Sequence, residues 1–133
     1  MLIKGYFDKA EQPRVKLRIK GLRQAIEINP VVDTGFTGHL CLPIPTAIPL
    51  GLELVGRVVI ELADGSLKSE LIFRGWATWQ GRTRPVRIFL TDSSDALLGS
   101  RMMQGQNLNI DYADHLVTIA EKAVAKKSRS KTK

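Results

Sequence analysis

VVDTGFTG, Val31 to Gly38, sets an acid directly behind two β-branched apolar residues and follows it with two glycines. Val31 and Val32 suit a strand interior, and Asp33 ends that run. Gly35 and Gly38 free the backbone beyond it. A carboxylate at such a junction is either a turn residue, accepting hydrogen bonds from its own loop, or an acid held for chemistry. The flanking sequence has to separate the two readings.

Strand signals dominate on both sides. VKLRIK (Val15–Lys20) alternates apolar and basic residues, LRQAIEI (Leu22–Ile28) does so more loosely, and Gly21 between them predicts a tight hairpin turn. LIKGYF at the start reads as a further strand. Pro30 imposes an extended approach to Val31. HLCLP resumes a short strand, and the stretch that carries Pro43, Pro45 and Pro49 reads as an irregular link or a helical turn.

A second hairpin, LVGRVVIELADGSLKSELIFRGW, has Asp64-Gly65 as the signal for a two-residue connection. A turn at Gln80-Gly81-Arg82 precedes the strand PVRIFL. DALLGSRMMQGQ holds the expected helix, short and starting near Ser100. LNIDY and HLVTI flank Ala113-Asp114 as a closing hairpin. Many short strands joined by glycine turns predict an all-β barrel or sandwich.

Composition narrows the functional classes. A chain of 133 residues is one domain that buries a real core without disulfides. The single Cys41 has no intrachain partner, which points to a reducing compartment, with the cytoplasm expected. MLIKGYFDKA charges too early to read as a secretory signal, and Leu40–Leu52, the most apolar stretch, is too short for a membrane span. The net charge is +7, but residues 121–133 hold six basic residues and one acid. Residues 1–120, the expected folded domain, hold fourteen basic and twelve acidic side chains and show no basic stripe. The basic tail reads as solvated and disordered, making at most weak nucleic-acid contact. With 6% aromatic residues there is no evident platform for base stacking.

Three features then occur in order: Asp33-Thr34-Gly35 behind an apolar strand, a hairpin with Ala63-Asp64-Gly65-Ser66 at its tip, and Leu97-Leu98-Gly99. In this order they resemble the retropepsin-like aspartic proteases of clan AA, across residues 1–120. The stretch DTGFTGHLCLP resembles the small prokaryotic branch, in which phenylalanine follows D-T-G. The resemblance implies a small closed β-barrel with one short C-terminal helix, acting as an aspartic endopeptidase on a peptide or protein substrate without a cofactor.

Such an enzyme needs two carboxylates a hydrogen bond apart, because like charges that close share one proton. One activates a water against the scissile carbonyl, and the other polarises that carbonyl and protonates the leaving nitrogen. Of the seven aspartates, only Asp33 has an apolar strand before it and a glycine loop after it. The second acid must therefore come from another copy, Asp33 meeting Asp33 across a homodimer axis. By resemblance, Thr34 locks the two loops together, the Gly35 amide orients the carboxylate, Ala63–Ser66 close as a flap, and Leu97, Leu98 and Gly99 support the loop. Two positions depart from the retroviral pattern. Phe36 stands where a small residue is usual, with Thr37-Gly38 where an acid usually follows. Ser100 intervenes before Arg101.

Plainer readings stand beside these. Asp33 alone would read as an Asx-turn residue, a reading the three features in order disfavour, Asp64-Gly65 reads as a simple turn, and Leu97-Leu98 as core. His39, Cys41 and the distant His115 are too few for a zinc site, and no metal is expected. Ser93 and Ser94 lack a nearby histidine. The alternative function is a catalytically silent retropepsin-like dimer that binds peptides or proteins.

Overall fold

Apolar and charged residues alternate along the strands, and their burial follows the same period of two. Leu17 and Ile19 are buried while Arg18 and Lys20 face solvent. The computed structural model describes residues 1–122; the expected basic tail lies outside them apart from Glu121 and Lys122.

Twelve strands form among the described residues. They are β1 (Leu2–Phe7), β2 (Pro13–Arg14), β3 (Leu17–Lys20), β4 (Ala25–Ile28), β5 (Val31–Val32) and β6 (Leu40–Pro43) in the first half. β7 (Glu53–Glu61), β8 (Leu67–Trp79), β9 (Arg82–Thr91), β10 (Leu97–Leu98), β11 (Gln106–Asp111) and β12 (Leu116–Glu121) follow. The hydrogen-bonded order is β11-β12-β1-β2-β5-β10-β6-β9-β8-β3-β4, with β7 added on β8. This is a path with two ends: among the described residues no ladder joins β11 to β4, so closure of the barrel is not part of the pairing pattern. No helix among the described residues is long and apolar enough to cross a membrane.

The core gathers the inward faces of β3, β6, β8, β9 and β10. Ile19, Leu40, Leu42, Ile88 and Leu98 are completely buried, each side chain contributing about 1.5–3 kcal/mol by leaving water. β8 ties this core to an outlying arm. Its first residues are exposed and pair only with β7, whereas its last ones are largely buried and pair with β3 and β9.

Several local expectations need correction. β3 and β4 are joined by four residues, not by Gly21 alone, because the Pro49–Gly51 segment docks on the connection. Leu22 N donates to Gly51 O at 2.8 Å and Arg23 N to Leu50 O at 2.9 Å. A side chain at Gly21 would collide with the Leu50 carbonyl. The β7–β8 connection has five residues between strand ends, Leu62–Ser66, whose innermost three, Ala63 to Gly65, form the loop where two were expected. Leu62 N donates to Ser66 O at 2.8 Å and Gly65 N to Leu62 O at 2.8 Å, with Gly65 at φ +86°, the geometry of a turn followed by a left-handed glycine.

The helix expected near Ser100 is a single 3-10 turn, Ser100–Met103, since Gln106 already pairs with Glu121 and leaves no length for more. The proline-rich stretch takes the helical of its two expected forms: an α-helical turn, Ile44–Ala47, continued by a 3-10 turn to Leu50 and ended by Gly51 at φ +73°. Pro45 and Pro49 sit early in those turns, where no amide hydrogen is needed. The β8–β9 and β11–β12 hairpins form where the sequence places them.

Candidate active site

The loop that carries Asp33 is stitched from both sides to a segment more than sixty residues away in the chain. β10 inserts between β5 and β6, parallel to the first and antiparallel to the second, pairing Leu97 with Val31 and Cys41, and Leu98 with Val32 and Leu40. Asp33 N donates to Leu98 O at 2.9 Å, Gly99 N to His39 O at 2.9 Å, Ser100 N to Phe36 O at 2.8 Å and Arg101 N to Gly38 O at 3.2 Å. The loop closes on itself through Phe36 N to Asp33 O at 3.2 Å. Four cross-links over so short a stretch leave the loop little freedom.

Gly99 is a spatial necessity. Its backbone is extended, with φ −92°, but a Cβ there would collide with the Gly38 carbonyl and lie 2.6 Å from Phe36 Cδ2 and 2.7 Å from Phe36 O. Leu98 is completely buried, so core packing and loop support are one contact. Asp33 is partly buried as a residue, and its Oδ1 accepts from Gly35 N at 2.9 Å on the exposed side of the loop. Thr34 and Gly35 are exposed at the loop's outer turn.

A cleft of about 1140 Å³ opens beside this loop. Val58, Ile60, Glu70 and Ile72 of the β7–β8 arm line one side of it, and Gly35 to His39, Phe89 and Arg101 line the other. The structure thus brings Gly35 and the arm together across one space. Asp33 is not among the lining residues, nor are Ala63, Asp64, Gly65 and Ser66, which sit exposed at the tip of the arm. Asp64 is a turn former: its Oδ1 accepts from Ser66 N at 2.9 Å and from Ser66 Oγ at 2.6 Å. The hydroxyl bond, then the amide bond, holds its carboxyl below the usual range.

Comparison with known proteins follows this geometry. No family model matches the chain, and no curated protein matches it. Among solved structures, the EIAV protease complexed with the inhibitor HBY-793 matches with a TM-score of 0.54 and 17% identity, over 74% of this chain and 90% of that chain. The fold is retropepsin-like. At this level of identity the likeness concerns the backbone architecture. Within the retropepsin-like fold, Asp33 occupies the loop after β5, with Leu97-Leu98-Gly99 threaded beneath it.

Other contacts at the site had no signal in the linear sequence. Phe36 packs edge-on against Phe89, with ring centres 5.9 Å apart and an interplanar angle of 87°. It fills the space that Gly38 and Gly99 leave open. His39 lines the cleft and accepts from Arg87 N through Nδ1 at 3.0 Å. Burial first, then the charges of Arg84, Arg101 and Arg87, lower its pKa to about 4. These residues meet because β6 and β9 run parallel with Leu40 opposite Ile88, a register that no local pattern encodes.

Cys41 is buried, and that burial, followed by the charge of Glu70, pushes its thiol pKa up. Among the described residues no three of His, Cys, Asp and Glu gather as a metal site would require. Arg14 makes further contacts without a signal in the linear sequence. It bonds Asp8 Oδ2 at 2.6 Å, Asp95 Oδ1 at 2.7 Å and Asn29 O at 2.8 Å, tying the loops before β5 and β10 together.

Proposed function

We propose that the chain is a homodimeric aspartic endopeptidase, with Asp33 and the partner subunit's Asp33 as a proton-sharing pair. The ionised member takes a proton from a water, which adds to the scissile carbonyl. The protonated member polarises that carbonyl and then protonates the departing nitrogen. Which subunit holds the proton is a property of the pair.

One observation carries this reading: Asp33, partly buried, stands in a loop cross-linked to Leu98–Arg101, and the next residues of that loop line a cleft together with the long β7–β8 arm. Four of the six other aspartates serve elsewhere, and neither Asp92 nor Asp114 combines an apolar strand before it with a glycine loop after it. Asp8 and Asp95 pair with Arg14, while Asp64 and Asp111 accept hydrogen bonds within their own turns. With one D-T-G per chain, two-fold symmetry supplies the second acid. The exposure of Thr34 suits its role as the lock between two loops, and Ala63–Ser66 serve as the flap over bound peptide. D-T-G-F, Asp33–Phe36, is the motif shared with the prokaryotic branch.

The test is Asp33→Asn, which preserves shape and removes the charge. Cleavage of an unstructured peptide set falls by at least about a thousandfold, while sedimentation still reports the dimer. Cleavage retained in that variant refutes the proposal. Activity is highest in mildly acid solution and falls as both carboxylates ionise. A dimer that holds peptides and never cleaves them is instead a binding module.

A further inference from the structure

The wall of the cleft beside the Asp33 loop carries positive charge that its neighbours leave unneutralised. Arg87 and Arg101 both line it. Each is fixed by its backbone to the same stretch, Arg101 N to Gly38 O at 3.2 Å and Arg87 N to His39 Nδ1 at 3.0 Å. Arg84 lies close by, its Nη2 donating to Met102 O at 3.2 Å and its Nε buried without a hydrogen-bond partner. Six ion pairs form among the described residues, and none uses Arg84, Arg87 or Arg101.

The cleft has two carboxylates, and neither is paired with these arginines. Glu70 pairs with Lys68 at 3.4 Å. Asp92 takes part in none of the six ion pairs. Like charges gathered without a counterion repel, and an incoming carboxylate relieves that repulsion. His39 adds a neutral donor: with Nδ1 accepting from Arg87 N, the proton of the uncharged ring sits on Nε2. Its low pKa keeps it uncharged at neutral pH.

The rest of the lining decides what kind of anion fits. Phe36, Phe89, Val58 and Ile60 make the remainder largely apolar. Arg84, Arg87 and Arg101 all lie near enough to act on His39, and the one other cation of the lining, Lys68, is paired with Glu70, which is less than a nucleic-acid backbone tracking the groove would require. We infer that Arg87, Arg101 and His39 form a subsite for an acidic side chain, so that the substrates are polypeptides carrying Asp or Glu among apolar residues. This rests on the peptidase reading and names its substrate class.

The test uses the full-length Asp33→Asn protein and short labelled peptides with Glu at one position in turn, each matched by a Gln twin. At one position the Glu peptide binds roughly tenfold more tightly, the worth of one good charge-assisted hydrogen bond, and the advantage shrinks in high salt. Adding Arg87→Gln and Arg101→Gln brings the Glu-to-Gln ratio close to one. If that combination fails to fold, Arg101→Gln alone, at an exposed position, lowers the ratio by at least about threefold.

Equal binding of the twins at every position overturns the inference. So does a ratio that the arginine substitutions leave unmoved, binding of neither twin at millimolar peptide, or displacement of the Glu peptide by a tighter-binding single-stranded oligonucleotide. Hydrolysis by the unsubstituted protein is measured on the same twins. A charge preference in binding without any hydrolysis upholds the acidic subsite and refutes the peptidase. Hydrolysis of both twins with equal kcat/KM upholds the peptidase and overturns the subsite.

Discussion

Gly99→Ala separates support of the Asp33 loop from ordinary core packing. The new methyl group is aimed at the Gly38 carbonyl and lies 2.6–2.7 Å from two atoms of Phe36. Two of the obstructing atoms are backbone oxygens, which cannot rotate away as a side chain does. Overpacking of this kind costs about 1–3 kcal/mol, and the rigid obstruction puts it at the upper end. Moving the loop aside also weakens the bonds from Gly99 N to His39 O and Ser100 N to Phe36 O, each contributing about 1 kcal/mol. The expected loss is about 4 kcal/mol, or a fall in Tm of roughly 15 °C for a folded body near 120 residues. The assay is urea unfolding followed by tryptophan fluorescence, at one fixed protein concentration because dimerisation would shift the midpoint. Gly56→Ala is the control, with no atom within 4 Å of its Cβ, and it stays within about 0.5 kcal/mol of the parent. A loss below about 1 kcal/mol in Gly99→Ala refutes the claim that this strand holds the loop in place.

Two further outcomes concern pH. The pKa of His39 is lowered from 6.5 to about 4, so the unfolded chain takes up a proton first as the solution is acidified. Its contribution to stability is complete above 6.5, declines between 6.5 and about 4, and then levels off. His39→Gln removes that slope, and proton NMR of the parent places the ring's midpoint near 4. A midpoint near 6.5 contradicts the buried, cation-flanked setting. Asp8, whose carboxyl is lowered from 3.8 mainly by its hydrogen bond to Arg14, contributes stability that is present above 3.8 and lost as pH falls through its lower folded value. Tm measured from neutral to strongly acid solution therefore drops less steeply in Asp8→Asn than in the parent, and equal slopes refute it.

What could be read from the sequence was local. Alternation in Leu17–Lys20 announced β3, and Gln80-Gly81-Arg82 announced a turn, whose first two residues form the connection and both take positive φ. Val31-Val32 before Asp33 announced a buried strand ending in an acid. The same local logic failed where a distant segment intervened. Gly21 read as a hairpin turn, yet its lack of a side chain serves the approach of Leu50. Ser100–Met103 read as a helix start, but pairing of Gln106 with Glu121 ends it after one turn. Leu97-Leu98-Gly99 was visible only through its order in a family resemblance, because its meaning lies in pairing with both β5 and β6.

The cleft wall shows why the remainder was hidden. His39 and Arg87 are 48 residues apart, and nothing in either segment favours the other. They meet because two apolar strands run parallel in the core, placing Leu40 beside Ile88 and therefore the preceding residues beside each other at the rim. A one-residue slip in that ladder would turn every side chain of β6 to the opposite face and bury what now lines the cleft. The completely buried Leu40, Leu42 and Ile88 make such a slip costly. Packing energy at these three positions thus fixes the rim chemistry. Substitutions in the core that preserve volume should leave the guanidinium cluster in place, whereas a shift of register would disperse it even with every arginine retained.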